Sequence, residues 1–161
     1  NGKICLPDNL TIIATMNTSD QSLFPMDSAF KRRWDWKYVP IEYNLKFNVR
    51  LSEDRDFSWS SFIENVNMTI KNNPNLGMDK CLGGYFIKPD SNKDYIELED
   101  FISKVIFYLW NDVFKDELED QNIFPEGVTY EDFFPVESNG LNKVLEILKK
   151  INIKIPNENS I

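Results

Sequence analysis

The sequence predicts an α/β piece followed by a mostly helical piece. Three observations carry that reading. An apolar run, Leu10-Thr11-Ile12-Ile13-Ala14-Thr15, has the makeup of a buried strand. A short amphipathic stretch then ends in Arg32-Arg33 and gives way to the alternating Trp36-Lys37-Tyr38-Val39-Pro40-Ile41. Beyond residue 58 the apolar residues recur at helical spacing in three separate stretches.

Pro7-Asp8-Asn9 is a turn cluster, so the first strand begins at Leu10 and runs to Thr15. Ser22–Trp34 reads as a short helix. Pro25 suits a first helical turn, where its missing N–H costs nothing. Leu23, Met26, Phe30 and Trp34 share one face, and Asp27 with Lys31 makes an i,i+4 surface pair. Trp36–Ile41 follows as a second strand, and strand–helix–strand is a unit of α/β architecture.

The character changes after Pro40. Tyr43–Ser58 is polar and irregular and reads as a linker or insert. Trp59–Lys71 is a helix whose Trp59, Phe62, Ile63, Val66 and Ile70 share a face, with Ser61 and Glu64 spaced as a capping box. Asn72-Asn73-Pro74-Asn75 ends it. Leu82–Ile87 reads as a glycine turn leading into a short extended run. Leu98–Lys115 is the strongest helix, apolar around much of its circumference. Phe124–Pro135 is loop with a helical turn near Tyr130–Phe133, and Leu141–Ile151 is a final amphipathic helix entered through Ser138-Asn139-Gly140. These signals divide the chain into residues 1–42 (α/β), 43–58 (linker or insert), 59–155 (mostly helical) and a frayed tail at 156–161.

Composition excludes several classes. The 161 residues include 12 Phe and 4 Trp, enough for a packed core. No apolar run approaches the roughly 20 residues that cross a bilayer, and no leader opens the chain, which reads as cytoplasmic with no membrane partner. It starts on Asn1, with a strand pattern almost at once, and reads as a fragment of something longer. Cys5 and Cys81 form no metal or disulfide framework. The absence of histidine removes the usual general base and the commonest metal ligand from this chain. A net charge of −8 argues against this piece holding nucleic acid alone.

The chemistry-bearing residues gather just past the first strand. Ligands of open α/β sheets bind beyond the carboxyl ends of strands. Asn17 is there, and an amide offers a donor and an acceptor that hold an attacking water against a phosphate; a turn residue is the plain alternative. Asp20 can support that amide or simply favour a helix start. Arg32 and Arg33 end the helix, where cations are favoured in any case, and their guanidinium groups suit phosphate oxygens. Gly83-Gly84 is either a tight turn or a place where backbone approaches a ligand closely, which makes the pair a candidate cofactor contact. No phosphate loop of the G-x-x-x-x-G-K-[ST] type is present, and no strand ends in an acidic pair for magnesium.

The string from Pro7 through Asp20, continuing Gln21-Ser22-Leu23 and then Met26-Asp27-Ser28-Ala29-Phe30-Lys31-Arg32-Arg33-Trp34, resembles the second half of the AAA+ motor of McrB-type proteins. Those are the GTP-hydrolysing subunits of modified-cytosine restriction systems. The resemblance is strong over residues 7–41 and weaker over Leu82–Phe86 and Val105–Phe114, which look similar to the family's lid. It implies a C-terminal fragment of an AAA+ P-loop NTPase core plus a helical lid subdomain. It also implies that Asn17 is the sensor 1 asparagine, that Asp20 is the acid of the same element, and that Arg32 and Arg33 reach a neighbouring subunit's nucleotide. The implied cofactor is GTP or ATP with Mg²⁺, bound mainly by residues upstream. The implied partners are a homo-oligomeric ring, a McrC-type nuclease subunit and modified DNA met through another domain. Gln21 departs from the arginine of the best-known members, and Trp34 replaces a common phenylalanine. No sensor 2 arginine is evident in the lid, where Lys80 and Lys88 are the available cations. The fragment alone is expected to be inactive. The alternative from another class is a non-catalytic helical adaptor whose arginines bind an acidic protein.

Overall fold

The computed structural model describes residues 6–15, 26–118 and 121–155. The chain forms two compact units, with the boundary between Tyr38 and Val39.

In the amino-terminal unit the one described helix is α1, Ser28–Lys31. Asp27 has the extended backbone of an N-cap, and its carboxylate accepts the Phe30 N–H at 2.6 Å. The predicted start at Ser22 falls outside the described residues, and the capping carboxylate sets the start at Ser28. Arg32 closes the turn, its backbone N–H bonded to the Ser28 carbonyl and that of Arg33 to the Phe30 carbonyl, and the Phe30 and Trp34 rings lie 5.9 Å apart.

Both predicted strands of this unit are corrected. Residues 10–15 join no described sheet, and Leu10, Ile12 and Ile13 are 48, 59 and 89% exposed. Trp36–Ile41 likewise has no ladder, with Trp36, Tyr38 and Val39 in solvent. The physical reason is that a strand is a pairing, not a local conformation: its N–H and C=O groups need a neighbour, and none of the described strands runs beside these segments.

The carboxyl-terminal unit opens where a linker is predicted, yet residues 48–58 are a hairpin. Strand β1, Asn48–Ser52, pairs antiparallel with β2, Arg55–Ser58, in register Val49 opposite Phe57, with an irregularity between Arg50 and Ser52. Val49, Leu51 and Phe57 are buried, so the Phe47-x-Val49-x-Leu51 alternation does specify a face. A two-residue strand β3, Tyr95–Ile96, lies parallel to β1 on its other side, giving the order β2-β1-β3. The Arg50 guanidinium sits 3.3 Å from the Tyr95 ring centroid, a cation–π contact across that pair.

Helix α2, Trp59–Asn72, follows the hairpin directly. Its cap is Ser58, whose hydroxyl accepts the Ser61 N–H at 3.2 Å, rather than the Ser61–Glu64 box. The apolar stripe then falls as the spacing predicts: Trp59, Phe62, Ile63, Val66 and Ile70 are fully buried. Helix α3 begins as Leu98–Asp100 and continues with π-type hydrogen bonding through Phe101–Ile106 and Leu109–Val113. Phe57, Trp59, Phe62 and Phe101 form the centre of the core, with Phe101 5.3 Å from Phe57 and 5.0 Å from Phe62 in edge-to-face contact. Leu82–Ile87 carries a turn but no strand. A 3₁₀ turn at Tyr130–Phe133 is held by a Thr129–Asp132 capping box, and Val136–Gly140 leads into α4, Leu141–Lys150. Val144, Ile147 and Leu148 of α4 are buried against the same core. No described helix is long and apolar enough to cross a membrane.

Candidate functional site

Of the predicted site residues, Asn17 and Asp20 lie outside the described residues. Arg32 and Arg33 are described, and they sit at the carboxyl end of α1 with exposed side chains. Their backbone N–H groups are committed to Ser28 and Phe30 carbonyls at 3.1 Å. Neither guanidinium forms an ion pair with a described residue.

One further side chain holds this helix end. The Trp36 indole Nε1–H donates to the Lys31 carbonyl at 2.8 Å. That carbonyl is at the end of α1 and also accepts the Trp34 N–H at 3.4 Å, so the indole is the shorter of the two bonds. Sequence reading placed Trp36 on a strand and missed this role. The only signal was an indole donor five residues past the helix's final lysine.

Gly83 and Gly84 have different surroundings. A Cβ on Gly84 would lie 2.3 Å from the Glu42 carbonyl oxygen, whereas one on Gly83 would meet nothing within 4 Å. The close approach at Gly84 is therefore to the chain's own backbone. Gly84 also accepts the buried Trp59 indole N–H at 2.7 Å. The neighbouring Asn67, fully buried on α2, exchanges hydrogen bonds with both Leu82 backbone groups (2.7 and 2.8 Å) and donates to the Tyr43 hydroxyl at 3.1 Å. Ser60 holds the Leu45 N–H and C=O at 3.0 Å each. Residues 42–45 are thus pinned onto α2 and the glycine loop. An asparagine among the apolar residues of α2 was the signal for this network, since a buried amide demands partners.

Lys80 and Lys88 are engaged locally. Lys80 Nζ donates to the Asp112 carbonyl at 3.0 Å, and Lys88 Nζ stands 5.0 Å from the Tyr85 ring centroid. Burial pushes the Cys81 thiol above its ordinary range, partly offset by nearby Lys71, which keeps it protonated near neutrality. Two clefts of about 280 and 260 Å³ open on the carboxyl-terminal unit, one beside Trp110 and Phe124, the other beside Leu145 and Ile153. Neither is lined by Arg32, Arg33, Gly83 or Gly84. Among the described residues no group of three or more Cys, Asp and Glu side chains converges as a metal site.

What this arrangement offers chemically is a pair of solvent-facing cations on a short, doubly capped turn. No family model matches the chain, and no solved structure matches it. Over 119 residues it is 34% identical to a Type II restriction enzyme BsuMI component, YdiS, of Bacillus subtilis strain 168, an alignment that takes in 70% of this chain and 33% of the relative. The aligned part thus corresponds to about a third of the relative's length.

Proposed function

We propose that this chain is the carboxyl-terminal part of an AAA+ NTPase motor, of the McrB-like kind, that serves a restriction system. The observation that carries the reading is the exposure of Arg32 and Arg33, free of ion pairs with described residues, at the end of a turn capped on both sides. Two guanidinium groups so presented fit phosphate oxygens, which they meet through planar, charge-assisted hydrogen bonds. The similarity to a restriction enzyme component supports the same setting.

In this proposal Asn17 and Asp20 orient the attacking water, and Arg32 or Arg33 stabilises transition-state charge on an adjacent subunit's nucleotide. A GTP or ATP with Mg²⁺ supplies the phosphoryl group, held mainly by a phosphate loop and an acidic strand end upstream of this sequence. A homo-oligomeric ring brings the arginines of one subunit to the nucleotide of the next. A McrC-type nuclease subunit is the proposed partner, and modified DNA is met by another domain.

The test is steady-state hydrolysis by the full-length protein. Arg32→Ala or Arg33→Ala should lower kcat by about a thousandfold for the finger itself, with nucleotide affinity nearly unchanged. Unchanged turnover in both variants would refute the proposal and favour the adaptor. The 161-residue chain alone should show no hydrolysis.

A further inference from the structure

A one-turn helix does not hold itself. Nucleating a first turn fixes several dihedrals for a single hydrogen bond, so short isolated helices are unstable in water. Yet Ser28–Lys31 is helical with none of its residues buried, so core packing does not explain it. Beside the Phe30–Trp34 ring contact and the Trp34 N–H bond to the Lys31 carbonyl, two side-chain hydrogen bonds clamp it. The Asp27 carboxylate accepts the Phe30 N–H at the start, and the Trp36 indole N–H donates to the Lys31 carbonyl at the end. Arg32 and Arg33 lie within the stretch that the second clamp closes, and their own N–H groups belong to the same turn.

We propose that Trp36 is a positioning residue for the arginine pair. Its indole N–H fixes the last carbonyl of α1 and so sets the direction in which Arg32 and Arg33 leave the helix. The chain doubles back to bring residue 36 to residue 31, and that return closes a small loop around both arginines. An indole is well suited to the task. It donates one hydrogen bond, carries no charge to compete for phosphate, and its bulk stays largely in solvent here at 56% exposure. A lysine or arginine at this place would satisfy the carbonyl but add a competing cation. The proposal rests on the phosphate role of Arg32 and Arg33.

Trp36→Phe keeps an aromatic ring, removes the donor and trims a side chain that is already 56% exposed. Because the ring is half in solvent, folding of the chain should be unaffected. Two readouts are combined. In this chain, hydrogen exchange by NMR should show the Arg32 and Arg33 amides exchanging several-fold faster in Trp36→Phe, while amides of α2 are unchanged. In the full-length motor, Trp36→Phe should lower kcat by about fivefold, the equivalent of one modest hydrogen bond, with KM for the nucleotide unchanged. Added to Arg33→Ala or Arg32→Ala, whichever is the more damaging, it should cause no further loss. If both arginine variants keep full turnover, the phosphate reading itself fails and takes the role of Trp36 with it. If an arginine variant loses turnover but Trp36→Phe does not, the positioning role alone is overturned. Independent, additive losses would also overturn it.

Discussion

The two units of this chain treat apolar residues in opposite ways. From Val39 onward, Phe57, Trp59, Phe62, Phe101, Phe133 and the aliphatic residues around them are withdrawn from water into one core. Up to Tyr38, Leu6, Leu10, Ile12, Ile13, Trp36 and Tyr38 face solvent, although Leu10–Thr15 has the makeup of a buried strand. The difference teaches which part is structurally self-sufficient. The carboxyl-terminal unit pairs its described strands in one sheet, caps α2 through Ser58 and satisfies the buried Asn67 amide. Among its described residues the amino-terminal unit presents strand-forming sequence without a ladder, and the regular structure described there is a single turn with a side-chain hydrogen bond at each end.

The largest expected contrast is in the core. Phe62→Ala removes a ring that meets Phe57, Trp59 and Phe101, and should cost about 3–5 kcal/mol. Ile13→Ala, at a residue 89% exposed, should cost no more than about 0.5 kcal/mol. Denaturant unfolding of both variants checks this, and equal costs would erase the distinction between the units. Next in size is Asn67→Ala. It strands both backbone groups of Leu82 in a buried site, at about 1–3 kcal/mol for each group left unpaired.

The glycine loop sharpens the comparison within the carboxyl-terminal unit. Gly84→Ala forces a methyl against the Glu42 carbonyl and should destabilise by about 1–3 kcal/mol, the usual cost of overpacking. Gly83→Ala meets open space and should change thermal stability little. Equal effects would mean that the 42–45 segment is not anchored there.

These predictions also mark what was legible in the sequence. The helices from Trp59 and from Leu141 were readable because helical periodicity is local: each residue's face is set by neighbours three and four positions away. Strands were misread in both directions. Leu10–Thr15 has strand composition but pairs with no described strand, while the hairpin was hidden by the polar residues that alternate with Phe47, Val49 and Leu51. Pairing is a long-range property, and β3, at two residues, is too short to leave a period. The π-type bonding of α3 left no sequence mark either. At the candidate site, the placement of Arg32 and Arg33 at a helix end was readable from spacing. The clamp at Trp36 was not, because it depends on how the chain turns after the helix.

The smallest expected effect is a pH dependence. Two hydrogen bonds from Thr129, its backbone N–H foremost, hold the Asp132 carboxyl below its ordinary range. A depressed folded value means the stabilisation is present above the unfolded carboxylate range and is lost as pH falls through the folded one. Asp132→Asn should therefore lower Tm slightly at neutral pH, and the gap to the unaltered chain should narrow in acid. A gap that widened in acid would show that the 3₁₀ turn does not depend on the charged carboxylate.

The central claim, that the exposed arginines act on a nucleotide held by another subunit, is tested most directly by mixing two inactive full-length variants. One carries Arg32→Ala and Arg33→Ala; the other keeps both arginines but has the proposed phosphate loop disabled. Each alone should hydrolyse no nucleotide. Together they should regain turnover, because some interfaces then pair an intact nucleotide site with intact arginines. A mixture as inactive as its parts, in rings shown to contain both variants, would contradict the account.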